Sequence, residues 1–450
     1  MATITRRAAL TLAAGAVTAP AVGAPVGSAA PAERPMRNPA VGAELITAVT
    51  PRDNWRVVAV AVRHATRIDP RGAVIPPAAF AVTATVNGTT APRTVTRVYP
   101  NTAPALADHG RPGDHLIVEL DPRDANARAA GADPFPLDRA CAVRQVADVT
   151  APDGTVVLPA TSPFAVRNAG VLTPVVDDFV AGSFTDSAGF ELDFRLYRPA
   201  PARHPRYPLV VTLHGGGEVA DNNMTQLTGN RIAVTFATPD RQRRHPAFVL
   251  APQIPLPRPM DGPDGTDWTD PRVQAATVEL IDAFAARHPV DTDRIYLVGL
   301  SSGARGIYSL LPKYPDRFAA ALATAGWGET SGMDRITHVP LWADHSIDDP
   351  VVPYRDGRFG RPGTWTLMNA LAAAGATVTR GEWANDLPKA QFEARARALL
   401  REARAAGGHV LFTSYTAGTT PVNPHLAWAQ TYENDVVVEW LLAQSRQGAR

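Results

Sequence analysis

From residue 180 onward, short apolar runs alternate with longer stretches that have a helical period. The apolar runs occupy residues 209–213, 248–251, 295–298, 339–343 and 409–413. Such runs are typical of parallel strands buried on both faces. The helical stretches occupy residues 271–287, 304–314, 364–374 and 389–406. The alternation predicts a doubly wound, mostly parallel α/β sheet, with an antiparallel edge strand at 190–197.

The region before it has a different pattern, in which short alternating segments are separated by turn residues. The predicted strands are 55–63, 80–86, 94–99, 115–120 and 140–149. Asn87-Gly88 favours a tight type I′ hairpin, because both central residues of that turn take φ > 0. We expect strand 94–99 to return from this turn. The pattern predicts an immunoglobulin-like β-sandwich at 41–168, followed by the α/β domain at 169–450.

The first thirty residues have the composition of an export signal. Arg6 and Arg7 precede an apolar stretch rich in alanine and glycine, and small-residue cleavage sites follow. This pattern predicts a signal peptide at 1–30 of the twin-arginine type and a lead-in at 31–40. The apolar stretch is too short for a membrane anchor. The sequence therefore predicts a secreted protein.

Charge and cysteine content exclude several classes of function. The chain has 44 Lys and Arg residues against 43 Asp and Glu residues, so no strong field would hold nucleic acid. Cys141 is the only cysteine, which excludes an intrachain disulfide, a cysteine-rich zinc module and an iron–sulfur cluster. We expect it to be a packed thiol. The sequence has no H-E-x-x-H motif and no dinucleotide fingerprint after a strand, so we expect no metal and no cofactor.

Residues 299–303 read Gly-Leu-Ser-Ser-Gly, directly after one predicted strand and before a predicted helix. This is the pattern of a nucleophile elbow, whose sharp turn requires small residues around the serine. It predicts Ser301 as the nucleophile. It also predicts that the backbone N–H of Ser302 faces the oxyanion of a tetrahedral intermediate.

A second glycine-rich loop follows the strand at 209–213. It reads Leu-His-Gly-Gly-Gly-Glu at 213–218, the pattern of an esterase oxyanion loop. We expect Gly216 to supply the second oxyanion donor, with Gly217 as the alternative. His214 is expected to be a structural part of this loop.

The acid and the base should follow later strands. In Leu-Trp-Ala-Asp-His-Ser-Ile-Asp-Asp-Pro at 341–350, Asp344, Asp348 and Asp349 compete, and the spacing from His345 to Pro353 favours Asp349. His425 lies in a loop before the last helical stretch and is favoured over His409 as the base. The order Ser301, Asp349, His425 is the order found in α/β-hydrolases.

With Lys-Tyr-Pro-Asp-Arg-Phe-Ala at 313–319 and His-Leu-Ala-Trp at 425–428, these motifs resemble a known family. They resemble secreted α/β-hydrolase esterases related to polyhydroxybutyrate depolymerases and to feruloyl and acetyl-xylan esterases, in the branch with an N-terminal immunoglobulin-like domain. The resemblance covers nearly all of the chain after residue 40 and implies a metal-free serine esterase. One departure is Ser346, where the family usually has glycine.

Two features near the expected site have more than one interpretation. Trp268, Trp327 and Trp428 could line an apolar substrate pocket or belong to the core. The stretch 355–408 could be a decorated edge of the sheet or a cap over the pocket.

Three alternatives to a small-ester hydrolase remain open at this stage. They are a serine peptidase of the prolyl-oligopeptidase type, a polyester depolymerase, and a non-catalytic surface-binding protein in which the sandwich carries the function. Motifs do not distinguish the first two from an esterase, because all three chemistries use the same triad.

Overall fold

The computed structural model describes residues 39–51, 54–129, 139–160, 165–201, 206–256 and 267–448. The predicted signal peptide and residues 31–38 of the predicted lead-in lie outside the described residues.

The N-terminal region consists of two facing sheets. Its strands are β1 (Ala40–Thr50), β2 (Asn54–Ile68), β3 (Phe80–Val86), β4 (Thr89–Arg93), β5 (Val95–Asn101), β6 (Gly113–Leu120), β7 (Arg139–Gln145), β8 (Val149–Thr150), β9 (Val156–Leu158), β10 (Val166–Arg167) and β11 (Gly170–Leu172). One sheet has the order β11-β1-β2-β6-β5 and the other the order β10-β7-β3-β4, while β8 and β9 pair separately. The immunoglobulin-like sandwich predicted by the alternating pattern is confirmed.

The hairpin at Asn87-Gly88 forms as predicted, with φ of 50° and 76° at these two residues. The returning strand, however, is β4 (Thr89–Arg93), which pairs with β3. Residues 94–99 were wrongly expected to return from the turn, since β5 crosses to the other sheet. Pro92 makes β4 hard to recognise in the sequence, because proline is rare inside strands. It is tolerated here because β4 is an edge strand.

Apolar side chains from both sheets meet in the core of the sandwich. Val60 and Leu116 point inward from one sheet, and Val82 and Val143 from the other. Cys141 is fully buried in the same core, which confirms the expectation of a packed thiol.

The sandwich extends slightly beyond the sequence-based boundary at residue 168. β11 pairs in parallel with β1, with Glu44 opposite Gly170. The sheet contacts therefore favour a boundary after residue 172. Val49 and Trp55 pack against the core of the C-terminal region, so the two regions share an apolar contact.

The C-terminal region contains a nine-stranded sheet of order β12-β13-β15-β14-β16-β17-β18-β20-β19. Its strands are β12 (Val180–Thr185), β13 (Glu191–Tyr197), β14 (Tyr207–Leu213), β15 (Phe248–Gln253), β16 (Val290–Leu300), β17 (Ala320–Thr324), β18 (Leu341–Ser346), β19 (Val378–Trp383) and β20 (Val410–Tyr415). β13 pairs antiparallel with both β12 and β15, and the other pairs are parallel. The predicted α/β-hydrolase sheet is confirmed.

Helices cover both faces of this sheet. They are α1 (Thr225–Thr228), α2 (Val234–Ala237), α3 (Pro239–Arg244), α4 (Pro271–Arg287), α5 (Ser302–Lys313), α6 (Thr364–Ala373), α7 (Lys389–Ala405), α8 (Trp428–Thr431) and α9 (Asp435–Leu442). α4, α5 and α6 contribute to the apolar core on one face, and α2, α7 and α9 to the core on the other. Alternate residues of β14 divide between the two cores: Val211 faces the first and Val210 the second.

The stretch 355–408 contains α6, β19 and α7. β19 pairs in parallel with β20 and forms one edge of the sheet. Phe392 and Leu399 of α7 are buried in the core on one face. Of the two interpretations of this stretch, the structure favours a decorated edge of the sheet.

Candidate active site

Ser301 lies between β16 and α5, in a strained turn. Its backbone has φ 52° and ψ −119°, a region that L-residues rarely occupy. A Cβ on Gly299 would lie 2.5 Å from the carbonyl oxygen of Gly303, and a Cβ on Gly303 would lie 1.9 Å from that of Leu213. Both glycines of the motif are therefore required sterically, and the turn raises Ser301 above the carboxyl edge of the sheet.

His425 lies in the loop after β20, within a short 3₁₀ turn, Pro424–Leu426. The side chain of Asn423 accepts the backbone N–H of His425 and caps this turn. The imidazole packs edge-on against Trp428, with ring centroids 5.0 Å apart. Its Nε2 lies 3.0 Å from Ser301 Oγ. The capped turn and the indole thus hold the imidazole against the serine hydroxyl.

Asp349 lies in the loop after β18, and its carboxylate is buried. Oδ2 lies 2.7 Å from His425 Nδ1, and Oδ1 accepts the backbone N–H groups of Val351 and Val352. Burial alone would raise the pKa of Asp349. Hydrogen bonds from His345 and His425, together with their charges, outweigh burial and hold this pKa well below its usual range. The carboxylate is therefore ionised and directed at His425.

Two nearby carboxylates, Asp348 in the same loop and Asp344 in β18, have different partners. Asp348 Oδ2 accepts the backbone N–H of Gly418 at 2.7 Å. Asp344 is fully buried and accepts hydrogen bonds from the hydroxyls of Thr324 and Thr431. Burial raises the pKa of Asp344 to about 7, against the opposing effect of these two hydroxyls.

The His214 side chain makes hydrogen bonds that hold the glycine-rich loop after β14. The ring Nε2 of His214 accepts the backbone N–H of Ile254 at 3.1 Å, so Nδ1 carries the proton and donates to Gly215 O at 2.7 Å. A Cβ on Gly215 would lie 2.7 Å from Leu300 Cδ1 and 3.6 Å from Ser301 Cβ. The loop therefore runs directly beside the turn that holds Ser301, with Gly216 and Gly217 following in a 3₁₀ turn.

Glu218 is a carboxyl group at this site whose position was not predicted from the sequence. Its side chain lies against two glycines. Oε2 is 2.9 Å from the position that a Cβ would take on Gly215, and Oε1 is 2.9 Å from the corresponding position on Gly229. Burial raises the pKa of Glu218, against smaller opposing effects that include a hydrogen bond with Asn230. Glu218 directly follows the glycines in the motif, but only the folded loop shows that its carboxyl points back under them.

The three tryptophans of the expected pocket have different positions. Trp268 is fully buried, donates from Nε1 to His214 O at 2.8 Å and packs edge-on against the His214 ring, so it supports the loop from the core. Trp327 is buried between Arg305, whose guanidinium carbon lies 5.6 Å from the ring centroid, and Phe359. Trp428 is the one in contact with His425. All three tryptophans are buried, and their assignment to a substrate pocket stays a prediction.

Two further features are absent from the described part of the chain. Among the described residues, no group of three or more His, Cys, Asp or Glu side chains could hold a metal ion. None of the helices that the structure describes is long and apolar enough to cross a membrane.

Two family models match the chain. The model described as an esterase Ig-like N-terminal domain matches residues 42–158, and the model described as an esterase PHB depolymerase matches residues 192–353. No curated protein sequence matches.

Several solved structures are similar to this chain. A thermostable esterase is 30% identical, with 90% of this chain and 100% of that chain covered and a TM-score of 0.69. A ferulic acid esterase is 14% identical, covering 58% of this chain and 98% of its own, with a TM-score of 0.34. An acetyl xylan esterase from Aspergillus awamori is 14% identical, covering 38% and 73%, with a TM-score of 0.29.

The fold thus defines an α/β hydrolase preceded by an immunoglobulin-like sandwich. The chain belongs to the family of esterases in which an Ig-like N-terminal domain precedes an esterase domain of the polyhydroxybutyrate depolymerase type. It is a hydrolase of the esterase or depolymerase class.

Proposed function

We propose that this protein is a secreted serine carboxylic-ester hydrolase that acts through an acyl-enzyme on Ser301. The observation that carries the proposal is the continuous chain of hydrogen bonds from Ser301 Oγ through His425 to Asp349, with distances of 3.0 and 2.7 Å. Three side chains from three separate loops converge in this order at one edge of the sheet. Serine enzymes of the α/β-hydrolase fold use this arrangement for nucleophilic acyl transfer.

Acylation begins with proton transfer from Ser301 to His425. Because His425 Nδ1–H donates to the Asp349 carboxylate, Nε2 presents its lone pair to the serine hydroxyl. Oγ attacks the ester carbonyl carbon as its proton passes to Nε2. The imidazolium then gives that proton to the departing alkoxide, which leaves as an alcohol. Asp349 fixes the orientation of the imidazole and stabilises its positive form.

The tetrahedral intermediate carries a negative oxygen that needs N–H donors. We assign them to Ser302, at the first turn of α5, and to Gly216 in the neighbouring loop, with Gly217 as the alternative second donor. Fixed backbone donors contribute about 2.7–4 kcal/mol each in such sites. Deacylation repeats the sequence with water: His425 takes a proton from water, the hydroxide attacks the acyl carbon, and Ser301 leaves with the returned proton.

Secretion is part of the proposal and rests on the sequence of residues 1–30. Arg6 and Arg7 before a mild apolar stretch are typical of a twin-arginine signal. No disulfide has to form outside the cell, because the chain has a single cysteine.

A polyester depolymerase is the second candidate, and exposed apolar side chains near the site favour testing it. Val351, two residues after Asp349, is 36% exposed, and Val422, three residues before His425, is 79% exposed. Phe359, which packs on Trp327, is also exposed. Apolar side chains beside a reactive centre are suited to an insoluble polyester surface.

Substrate class is best tested with one panel. It comprises chromogenic esters of graded acyl length, a feruloyl ester, a polyester film and a peptide amide, each tested with the wild-type protein and with Ser301→Ala and Ser302→Ala. A serine esterase hydrolyses the soluble esters, loses nearly all activity in Ser301→Ala and retains activity in Ser302→Ala, because the Ser302 backbone N–H remains.

Each remaining outcome favours a different function. Clearing of the film favours the depolymerase, and cleavage of the amide favours a peptidase. Ester hydrolysis that persists in a folded Ser301→Ala protein would contradict the proposal. Inactivity on the whole panel would favour a non-catalytic binding protein.

A further inference from the structure

His345 contacts the same carboxylate oxygen of Asp349 as His425 does. It lies at the end of β18, and its side chain is fully buried. The ring packs edge-on against Tyr354, with centroids 5.7 Å apart. The proposed mechanism assigns no proton transfer to this imidazole.

The Nε2 atom of His345 lies between two acceptors. Asp349 Oδ2 is 3.1 Å away, and the backbone carbonyl oxygen of Val352 is 2.9 Å away. Neither can donate, since the first is an ionised carboxylate and the second a carbonyl. His345 Nε2 must therefore carry a hydrogen that both acceptors share.

The other ring nitrogen is held just as firmly. His345 Nδ1 lies 2.9 Å from Thr364 Oγ1, at the start of α6. The Thr364 hydroxyl also lies 2.9 Å from the carbonyl oxygen of Gly326, which follows β17. The imidazole is thus fixed between helix α6 and the acid loop, and it cannot turn away from Asp349 without breaking these contacts.

The two carboxylate oxygens of Asp349 accept hydrogen bonds from different donors. Oδ1 accepts the N–H groups of Val351 and Val352, and Oδ2 is approached by the two imidazoles of His345 and His425. Among the described residues, loss of the His345 bond would leave His425 as the one partner of Oδ2 and would remove the His345 donor from the Val352 carbonyl.

We propose that His345 is a positioning residue that locks the Asp349 carboxylate in the orientation in which Oδ2 faces His425. This inference rests on the proposed function, in which Asp349 is the acid of the triad. The hydrogen bonds of the His345 ring go to Thr364, Asp349 and Val352, and we assign it no contact with the substrate or the reacting atoms. It acts only through Asp349, so its effect on turnover should require an intact carboxylate at position 349.

The test is a double-mutant cycle on kcat for a soluble aryl ester. His345→Leu removes the donor and keeps an apolar side chain of similar size, while His345→Gln keeps an N–H near the position of Nε2. We expect His345→Leu to lower kcat by on the order of 10²-fold, the typical cost of a misplaced catalytic group, with KM little changed. His345→Gln should recover most of that loss.

In the Asp349→Asn background, His345→Leu should cost almost nothing further, because residues that act as one unit are strongly non-additive. Thr364→Val provides a second, nearly isosteric variant that releases the far end of the imidazole. It should lower kcat less than His345→Leu does, and again only when Asp349 is present. Circular dichroism and thermal melting establish that each variant is folded.

An equal loss of kcat from His345→Leu in both backgrounds would overturn the inference, since it would indicate a merely structural role. Unchanged kcat in a folded His345→Leu protein would also overturn it. Failure of the proposed function gives a different result: Asp349→Asn alone would then leave kcat intact.

Discussion

Asp344, Asp348 and Asp349 are three carboxylates close together in the sequence, with three different environments. Asp349 has two imidazoles and two backbone N–H groups around it; burial would raise its pKa, and the two imidazoles hold it low. Asp348 bonds a backbone N–H of a neighbouring loop, and Asp344 is enclosed by threonine hydroxyls. Side-chain identity is the same at all three positions, so the surroundings decide what each carboxylate does.

Substitution of each carboxylate by its amide separates these roles. Asp349→Asn should lower kcat by roughly 10⁴-fold, the typical cost of placing the imidazole in the wrong tautomer. Asp348→Asn should leave kcat nearly unchanged, because the amide oxygen can still accept the Gly418 N–H. Steady-state kinetics on an aryl ester measures both. If Asp348→Asn were the more damaging of the two, the acid would be misassigned.

Sequence motifs predicted Ser301, Asp349 and His425, because each follows a strand end with recognisable spacing, and the structure brings the three side chains into hydrogen-bonding contact. Their catalytic roles stay predictions. The position of the Glu218 carboxyl and the contact of His345 with Asp349 could not be predicted in this way. Both depend on where a side chain points after its loop has folded, and a spacing rule carries no such information. The contact of Trp268 with His214 could not be predicted for the same reason, since an indole at this position suits a core as well as a pocket.

At the scale of elements, three segments pack tightly around the turn that holds Ser301: the end of β14, the end of β16 and the start of α5. β14 passes so close to the start of α5 that Gly303 has no space for a methyl group next to Leu213 O. The strand before the Ser301 turn, the helix after it and the glycine-rich loop after β14 are therefore fixed together.

Gly303→Ala tests this dependence. The added Cβ would lie 1.9 Å from a backbone oxygen, so the strand or the helix must move. We expect the free energy of unfolding to fall by about 3 kcal/mol, at the upper end of overpacking costs, and esterase activity to be lost. Gly42→Ala is the control, because its Cβ would meet nothing within 4 Å. Urea denaturation measures the free energy of unfolding of the two variants. If Gly303→Ala were as stable as Gly42→Ala, the close packing at Gly303 would be contradicted.

Apolar strands and the longer helices were predictable, and short or polar elements were not. β17 (Ala320–Thr324) was missed because it is rich in alanine, which favours helix. β12 (Val180–Thr185) and β19 (Val378–Trp383) are edge strands with many polar residues, so they lack the apolar run of a buried strand. Tertiary pairing, rather than local preference, makes these segments strands.

At the scale of the whole molecule, Asp344 couples stability to pH. Its carboxyl is fully buried and has no cationic partner among the described residues; burial raises its pKa from 3.8 to about 7. The folded state therefore keeps this proton at pH values where the unfolded chain releases it. The resulting stabilisation is fully present below about pH 4 and is lost as the pH rises through about 7.

Comparison of the wild-type protein with Asp344→Asn measures this coupling. As the pH rises from about 4 to about 7, the unfolding free energy of the wild type should decline relative to the variant, by at most about 4 kcal/mol at about 1.4 kcal/mol per pKa unit. Denaturant unfolding at several pH values gives both curves. Parallel curves would show that Asp344 is ionised in the folded protein.

Export is also a property of the whole chain. Replacement of Arg6 and Arg7 by lysines should leave the unprocessed precursor inside an export-competent bacterial host, because the twin-arginine route reads this pair. Immunoblots of cells and medium measure the distribution. Undiminished secretion of the variant would favour the general secretory route.

The central claim is that Ser301 is the nucleophile. The most direct measurement is fluorophosphonate labelling of the folded protein, followed by tandem mass spectrometry of the peptide that contains Ser301 and Ser302. We predict one phosphonyl adduct, located on Ser301, present in Ser302→Ala and absent in Ser301→Ala. An adduct on Ser302 or on another residue, or an adduct that persists in Ser301→Ala, would contradict this account.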